Sequence, residues 1–164
     1  MIALSDEQRE VQEWAREFAQ REIRPRALLL DKDPESPERE ALLRAAARAG
    51  LLGSSLPDFL GGAGHDPVTG ALVTEELAAE CSGCAVLFGA NMLGMLPILL
   101  SGNLGAIERF VRPIAQSWET DHPQLAALAA TEPDAGSDFI MGHPQGRLRT
   151  RVEKSADGDY NLGK

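Results

Sequence analysis

Along the first half of the chain, apolar residues recur at three- and four-residue intervals. Val11, Trp14, Ala15 and Phe18 are separated by charged positions, which is the spacing of a helix with one buried stripe. Ser5-Asp6-Glu7-Gln8 stands before that stripe as a capping box, so a helix is predicted to start there. Pro25 lacks the N–H that a continuing helix needs, and the helix either bends or starts afresh at Arg24. Asp31 to Pro37 is rich in breakers and reads as a loop. Ser36-Pro37 caps a helix through Ala49 with Gly50 as its stop, and Asp66-Pro67 opens another through Glu80. From residue 84 to 100 the chain is almost wholly apolar. That run is at the short limit for spanning a bilayer and carries Gly89, Asn91, Gly94 and Pro97, so it is read as a helix buried on all sides of a bundle. A further helix near 104–117 places Ile107, Phe110, Val111 and Ile114 on one face.

The period changes after Asp121-His122-Pro123. Residues 125–130 form a short continuous apolar run, ambiguous by period alone but bounded by turn residues; ahead of a strand-like segment, it is read as a buried strand. Leu148, Thr150 and Val152 alternate with Arg147, Arg149, Arg151 and Glu153, the period of a strand with one wet face. Asp157-Gly158 makes a hairpin turn and 160–164 begins the return strand. The expected fold class is mainly α: an N-terminal helical bundle of about five helices over 1–120, followed over 121–164 by the first strands of an incomplete β domain.

Composition narrows the function. The 164 residues are 43% hydrophobic and 25% charged, a globular balance. Sixteen Lys and Arg against 25 Asp and Glu leave a net charge of −9, which repels phosphate backbones and anionic lipid. No nucleic-acid or membrane partner is expected. The polar start of the chain has no basic and apolar regions of a signal peptide, so a cytoplasmic location is expected. Cys81 and Cys84 form a lone C-x-x-C and the three histidines are scattered, so no metal site is assigned and the cysteines read as small core residues. Gly62-Ala63-Gly64 follows no strand, and position 67 is Pro where a dinucleotide loop would carry its third glycine.

Residues 129–139 read AATEPDAGSDF, an apolar run that ends abruptly in hydroxyl, carboxylate, glycine and hydroxyl. A surface loop accounts for the residue types: Pro133 fixes a bend, Gly136 permits positive φ, and Ser137 or Asp138 caps the next segment. Clustered N–H groups and hydroxyls at a strand end also suit a phosphate or the polar edge of a heterocycle.

Thr131-Glu132-Pro133-Asp134-Ala135-Gly136-Ser137-Asp138 resembles the signature of the acyl-CoA dehydrogenases, flavoenzymes that oxidise the Cα–Cβ bond of acyl-CoA thioesters. The resemblance extends through nearly all of the chain: Ile23-Arg24-Pro25-Arg26-Ala27 with Asp31, Ala49-Gly50-Leu51-Leu52-Gly53, Leu56 to Gly62, Thr74-Glu75-Glu76-Leu77-Ala78, and 91–103 follow the family's order. It implies FAD as cofactor, with Leu128, Ala130, Thr131, Gly136 and Ser137 along it; Thr131 would bond the pyrimidine side of the isoalloxazine. It implies an acyl-CoA thioester as substrate, with Ser137 beside its thioester arm and the helical face of Val86, Gly89, Leu93 and Leu96 along the acyl chain. Ordinary core packing is the alternative for that face, and a backbone-bonded strand-end hydroxyl the alternative for Thr131.

The family's catalytic glutamate lies in a C-terminal helical domain without counterpart here, and the family's Trp-x-Thr segment, which follows just after the Gly-Lys and sets a threonine on flavin N5, is expected to be missing too. Residues 139–146 are longer and more polar than the family's usual link. Glu75 and Glu76 read as a solvated or ion-paired face, and no catalytic residue is assigned. The expectation is the N-terminal portion of an FAD-dependent acyl-CoA dehydrogenase, an oxidoreductase of fatty acid metabolism. It would be catalytically incomplete alone, holding FAD weakly or not at all, and partnered by a second copy or a complementary C-terminal chain. The alternatives are one half of a split enzyme and a non-catalytic helical binding module.

Overall fold

The computed structural model describes residues 3–132, 136 and 149–163. The chain divides into two compact units, Met1–Leu128 and Ala129–Lys164. The first is helical. Helix α1 (Asp6–Phe18) begins at the expected capping box, with Gln8 N–H donating to Ser5 Oγ at 3.0 Å and Ser5 N–H to Gln8 Oε1 at 3.1 Å. A π-helical turn, Ala19–Ile23, then hands over to α2 (Arg24–Lys32), so the helix re-enters at Arg24. Arg24 N–H reaches back five residues to the Ala19 carbonyl. That wider turn carries the chain past the carbonyl that the Pro25 ring would otherwise meet and leave unpaired.

Helix α3 (Pro37–Arg48) ends at Ala49, and Gly50 follows at φ +71°, a left-handed stop that favours glycine. Helix α4 (Pro67–Glu80) is capped by Asp66, whose carboxylate accepts from Val68 N–H at 2.8 Å and the Thr69 hydroxyl at 2.6 Å. Helix α5 (Ser82–Leu100) packs on α4, which packs on α1. Phe18, Ile23, Leu42, Leu56, Met95 and Val111 are fully buried at the centre.

The helical unit departs from expectation in two places. Helix α5 is not buried on all sides: Cys84, Ala85, Phe88, Asn91, Gly94 and Met95 face inward, while Val86, Leu93, Leu96 and Leu100 are exposed. Its packing neighbours within Met1–Leu128 cover one side only. The helix is long and apolar enough, at a mean hydropathy of 1.9, to cross a membrane by length and composition. Buried Asn91, however, spends its side-chain amide on other segments of the unit. The final helix is also interrupted: α6 (Leu104–Ala106) and α7 (Arg112–Ala115) flank a π-helical turn, Ile107–Val111, again just before a proline. The extra residue in that turn breaks the three-and-four spacing. Phe110 therefore faces outward, 50% exposed, with the Arg109 guanidinium 5.1 Å from its ring centroid.

In the second unit, strands β1 (Arg151–Lys154) and β2 (Tyr160–Gly163) form an antiparallel hairpin in which Val152 opposes Leu162 and Lys154 opposes Tyr160. Gly158, at φ +91°, turns the chain between them. The expected single wet face is corrected: every residue of both strands is exposed, and among the described residues no segment covers either face of the hairpin. Leu148 and Lys164, the outer ends of the expected strands, lie outside the described residues.

Candidate functional site

Asn91 ties the helical unit to the run that leads into the signature stretch. Its side chain is 1% exposed; Nδ2 donates to the Leu52 carbonyl at 3.0 Å, and Oδ1 accepts from the Ala126 N–H at 2.8 Å. One amide thereby fixes both the short 3-10 turn Leu51–Gly53 and the extended run against α5. Gly94, one helical turn further, makes the approach possible. A Cβ there would sit 2.6 Å from both the Ala126 carbonyl carbon and the Ala127 nitrogen. Sequence reasoning missed this pair as a site, although a polar residue and a glycine three apart in an apolar helix mark one face.

The run itself is not a strand, which corrects the expectation for 125–130: residues 123–131 join no ladder among the described residues. Apart from the Ala126 N–H, its backbone groups are not hydrogen-bonded within that set. Leu128 is half-exposed, Ala130 half-buried and Thr131 exposed. Among the described residues the Thr131 hydroxyl makes no hydrogen bond, and exposed N–H, C=O and hydroxyl groups of this kind fit the polar edge of a flavin ring. Gly136 lies half-buried in a bend, and Ser137, with Pro133 and Asp134, is outside the described residues.

Glu132 has a definite task within the second unit. Its carboxylate accepts from the backbone N–H groups of Arg149 at 2.8 Å and Thr150 at 2.9 Å, clamping the signature to the chain that enters β1. These donors, Arg149 first, hold the carboxyl below its usual range. A contact of this sequence separation leaves no local signal.

The four residues read along the acyl chain share one side of α5. Val86, Gly89, Leu93 and Leu96 are all exposed along α5. Gly89 also borders a cavity of about 290 Å³ between α4 and α5, lined in part by Thr74, Leu77 and Met92; Val86 and Leu93 do not line it. Two of the three acidic residues of α4 are engaged structurally, and Glu75 is exposed. Glu76 accepts from Gln12 at 2.8 Å and from Arg16 at 2.8 and 3.0 Å. Glu80 forms a two-pronged pair with Arg24, which lowers the carboxyl's pKa. Cys84 is buried and its thiol pKa is pushed up to about 12, mainly by burial and then by a hydrogen bond with half-buried Cys81. Among the described residues, no group of three or more His, Cys, Asp or Glu is gathered to hold a metal ion.

A helical unit of this order, with an apolar helix anchoring the chain that enters a Thr-Glu-Pro stretch, defines an acyl-CoA dehydrogenase-type N-terminal domain. The sequence pattern of the family described as "Acyl-CoA dehydrogenase, N-terminal domain" matches residues 5–118, and the chain belongs to that family. It is 39% identical over 157 residues to cyclohex-1-ene-1-carbonyl-CoA dehydrogenase of Geobacter metallireducens, covering 96% of this chain and 38% of that protein. Against an acyl-CoA dehydrogenase of Bacillus subtilis it is 32% identical over 160 residues, covering 97% of this chain and 38% of the other. The solved acyl-CoA dehydrogenase from Bacillus anthracis, complexed with FAD, superposes with a TM-score of 0.78 at 32% identity, over 97% of this chain and 25% of that one. The chain thus spans under two-fifths of the length of these relatives.

Proposed function

We propose that this chain supplies the helical acyl-binding wall and one edge of the flavin site of an FAD-dependent acyl-CoA dehydrogenase, acting on the Cα–Cβ bond of an acyl-CoA thioester. The observation that carries the reading is the Asn91 and Gly94 anchor. It holds a run whose other backbone groups are unengaged among the described residues against the same helix that exposes Val86, Leu93 and Leu96. In this reading those side chains exclude water from the alkyl chain, and Gly89 leaves room for it. The Thr131 hydroxyl and the backbone of Leu128 and Ala130 hydrogen-bond the cofactor's polar edge, with Gly136 and Ser137 on its phosphate side. FAD, when bound, supplies the hydride acceptor. This chain contributes positioning, and the base that removes the α-proton comes from a complementary C-terminal chain or segment, a second copy completing the assembly.

The test is the visible absorption spectrum of the purified chain, alone and mixed with a C-terminal acyl-CoA dehydrogenase fragment. The chain alone is expected to retain little flavin. The mixture is expected to hold it and to bleach on addition of an acyl-CoA. Stoichiometric flavin on the chain alone would overturn its role as a single wall. A mixture that assembles yet takes up neither FAD nor acyl-CoA would overturn the function.

A further inference from the structure

The chain has two tryptophans, and both line one cavity of about 450 Å³ far along the sequence from the signature. Trp14 comes from α1 and Trp118 from the 3-10 turn Ser117–Glu119. The facing wall is backbone: Gly50 and Gly61, both at positive φ, leave it without side chains. A Cβ at Gly50 would meet nothing within 4 Å, so that wall stands open. The volume is that of a small-molecule site. Several backbone hydrogen bonds close the loop behind it, among them Gly64 N–H to the Leu56 carbonyl at 2.8 Å and His65 N–H to the Ser54 carbonyl at 3.1 Å, so the cavity is preformed.

Among the described residues, one charged group at this cavity lacks a partner. The Glu10 carboxylate, at the exposed rim, has neither ion pair nor hydrogen bond among the described residues, whereas Glu13, Glu22, Glu76 and Glu80 are each held by an arginine. No Lys or Arg lines the cavity. We propose that it is a binding site for a small organic ammonium ion, with the charge held against the two indoles and the Glu10 carboxylate. Indole faces attract desolvated cations, and the chain's net charge of −9 favours them at long range. The site is separate from the acyl-CoA reading and stands or falls without it.

Because both tryptophans are in the site, their fluorescence reports binding directly. The full chain is titrated with benzylammonium and with neutral benzyl alcohol. The expected result is a saturable change with benzylammonium, at least tenfold weaker with benzyl alcohol. Glu10→Gln, a substitution at an exposed position whose fold is checked by circular dichroism, is expected to weaken benzylammonium at least fivefold and leave benzyl alcohol unchanged. In ¹⁵N spectra, both indole N–H signals, assigned with Trp14→Phe and Trp118→Phe, are expected to move together. A linear response, equal affinity for the charged and neutral probes, or an unaffected Glu10→Gln would overturn the proposal.

Discussion

Replacing Asn91 by alanine tests the anchor on which the functional reading rests. The side chain makes two hydrogen bonds whose partners differ in exposure: Leu52 is 5% exposed, whereas Ala126 is half-buried. In the variant the Leu52 carbonyl is stranded away from water, at a cost of about 1–3 kcal/mol, while the Ala126 N–H finds solvent and loses only about 0.5–1 kcal/mol. Together these give about 1.5–4 kcal/mol, a large share of a domain's stability. Urea unfolding followed by tryptophan fluorescence reads the helical unit alone, since both tryptophans belong to it. The midpoint should fall with the slope unchanged. Amide exchange at Ala126 should accelerate beyond what the global change explains, because the run is released from α5 before the bundle opens. A loss below about 0.5 kcal/mol, or an Ala126 amide that stays protected, would show that the run is held by something other than Asn91.

Gly94→Ala should cost about 1–3 kcal/mol in the same assay, since its Cβ would fall 2.6 Å from the backbone of the run. Aspartate at exposed positions 86, 93 or 96 should change stability by no more than about 0.5 kcal/mol yet abolish acyl-CoA binding by the complemented assembly, whereas Met95→Asp, at a position 1% exposed, should unfold the unit. Glu132 should titrate below the ordinary glutamate range: its folded pKa is depressed, so the clamp is complete above the unfolded value and is lost as pH falls through the folded one. The Arg149 and Thr150 amide shifts should follow that transition with a midpoint below 4.5, and a midpoint at or above it would remove the clamp. At pH 8, iodoacetamide should modify half-buried Cys81 while Cys84, with its thiol pKa pushed up to about 12, stays unmodified by intact mass and peptide mapping.

Local decisions of the chain were legible in its sequence. Ser5 with Gln8, Ser36 before Pro37 and Asp66 before Pro67 cap their helices as read, because a cap is a contract among four consecutive residues. The family's fold was legible for a similar reason, through short motifs in order. The π turns were not, since Pro25 says only that a helix cannot pass unchanged, and whether it kinks, stops or widens depends on what the two halves pack against. The sidedness of α5 was hidden by its uniform apolarity: with almost no polar residue to mark a wet flank, period alone cannot choose an inner face. The marks that do choose it are exceptions to the pattern. Asn91 needs partners and Gly94 admits a backbone, and both are satisfied only where another segment of the chain comes close. In a helix of this composition the polar and the small residue therefore identify the packed side. The leucines and valine opposite stay exposed within this unit, so the same run, whose composition alone reads as fully buried, is in fact one-sided.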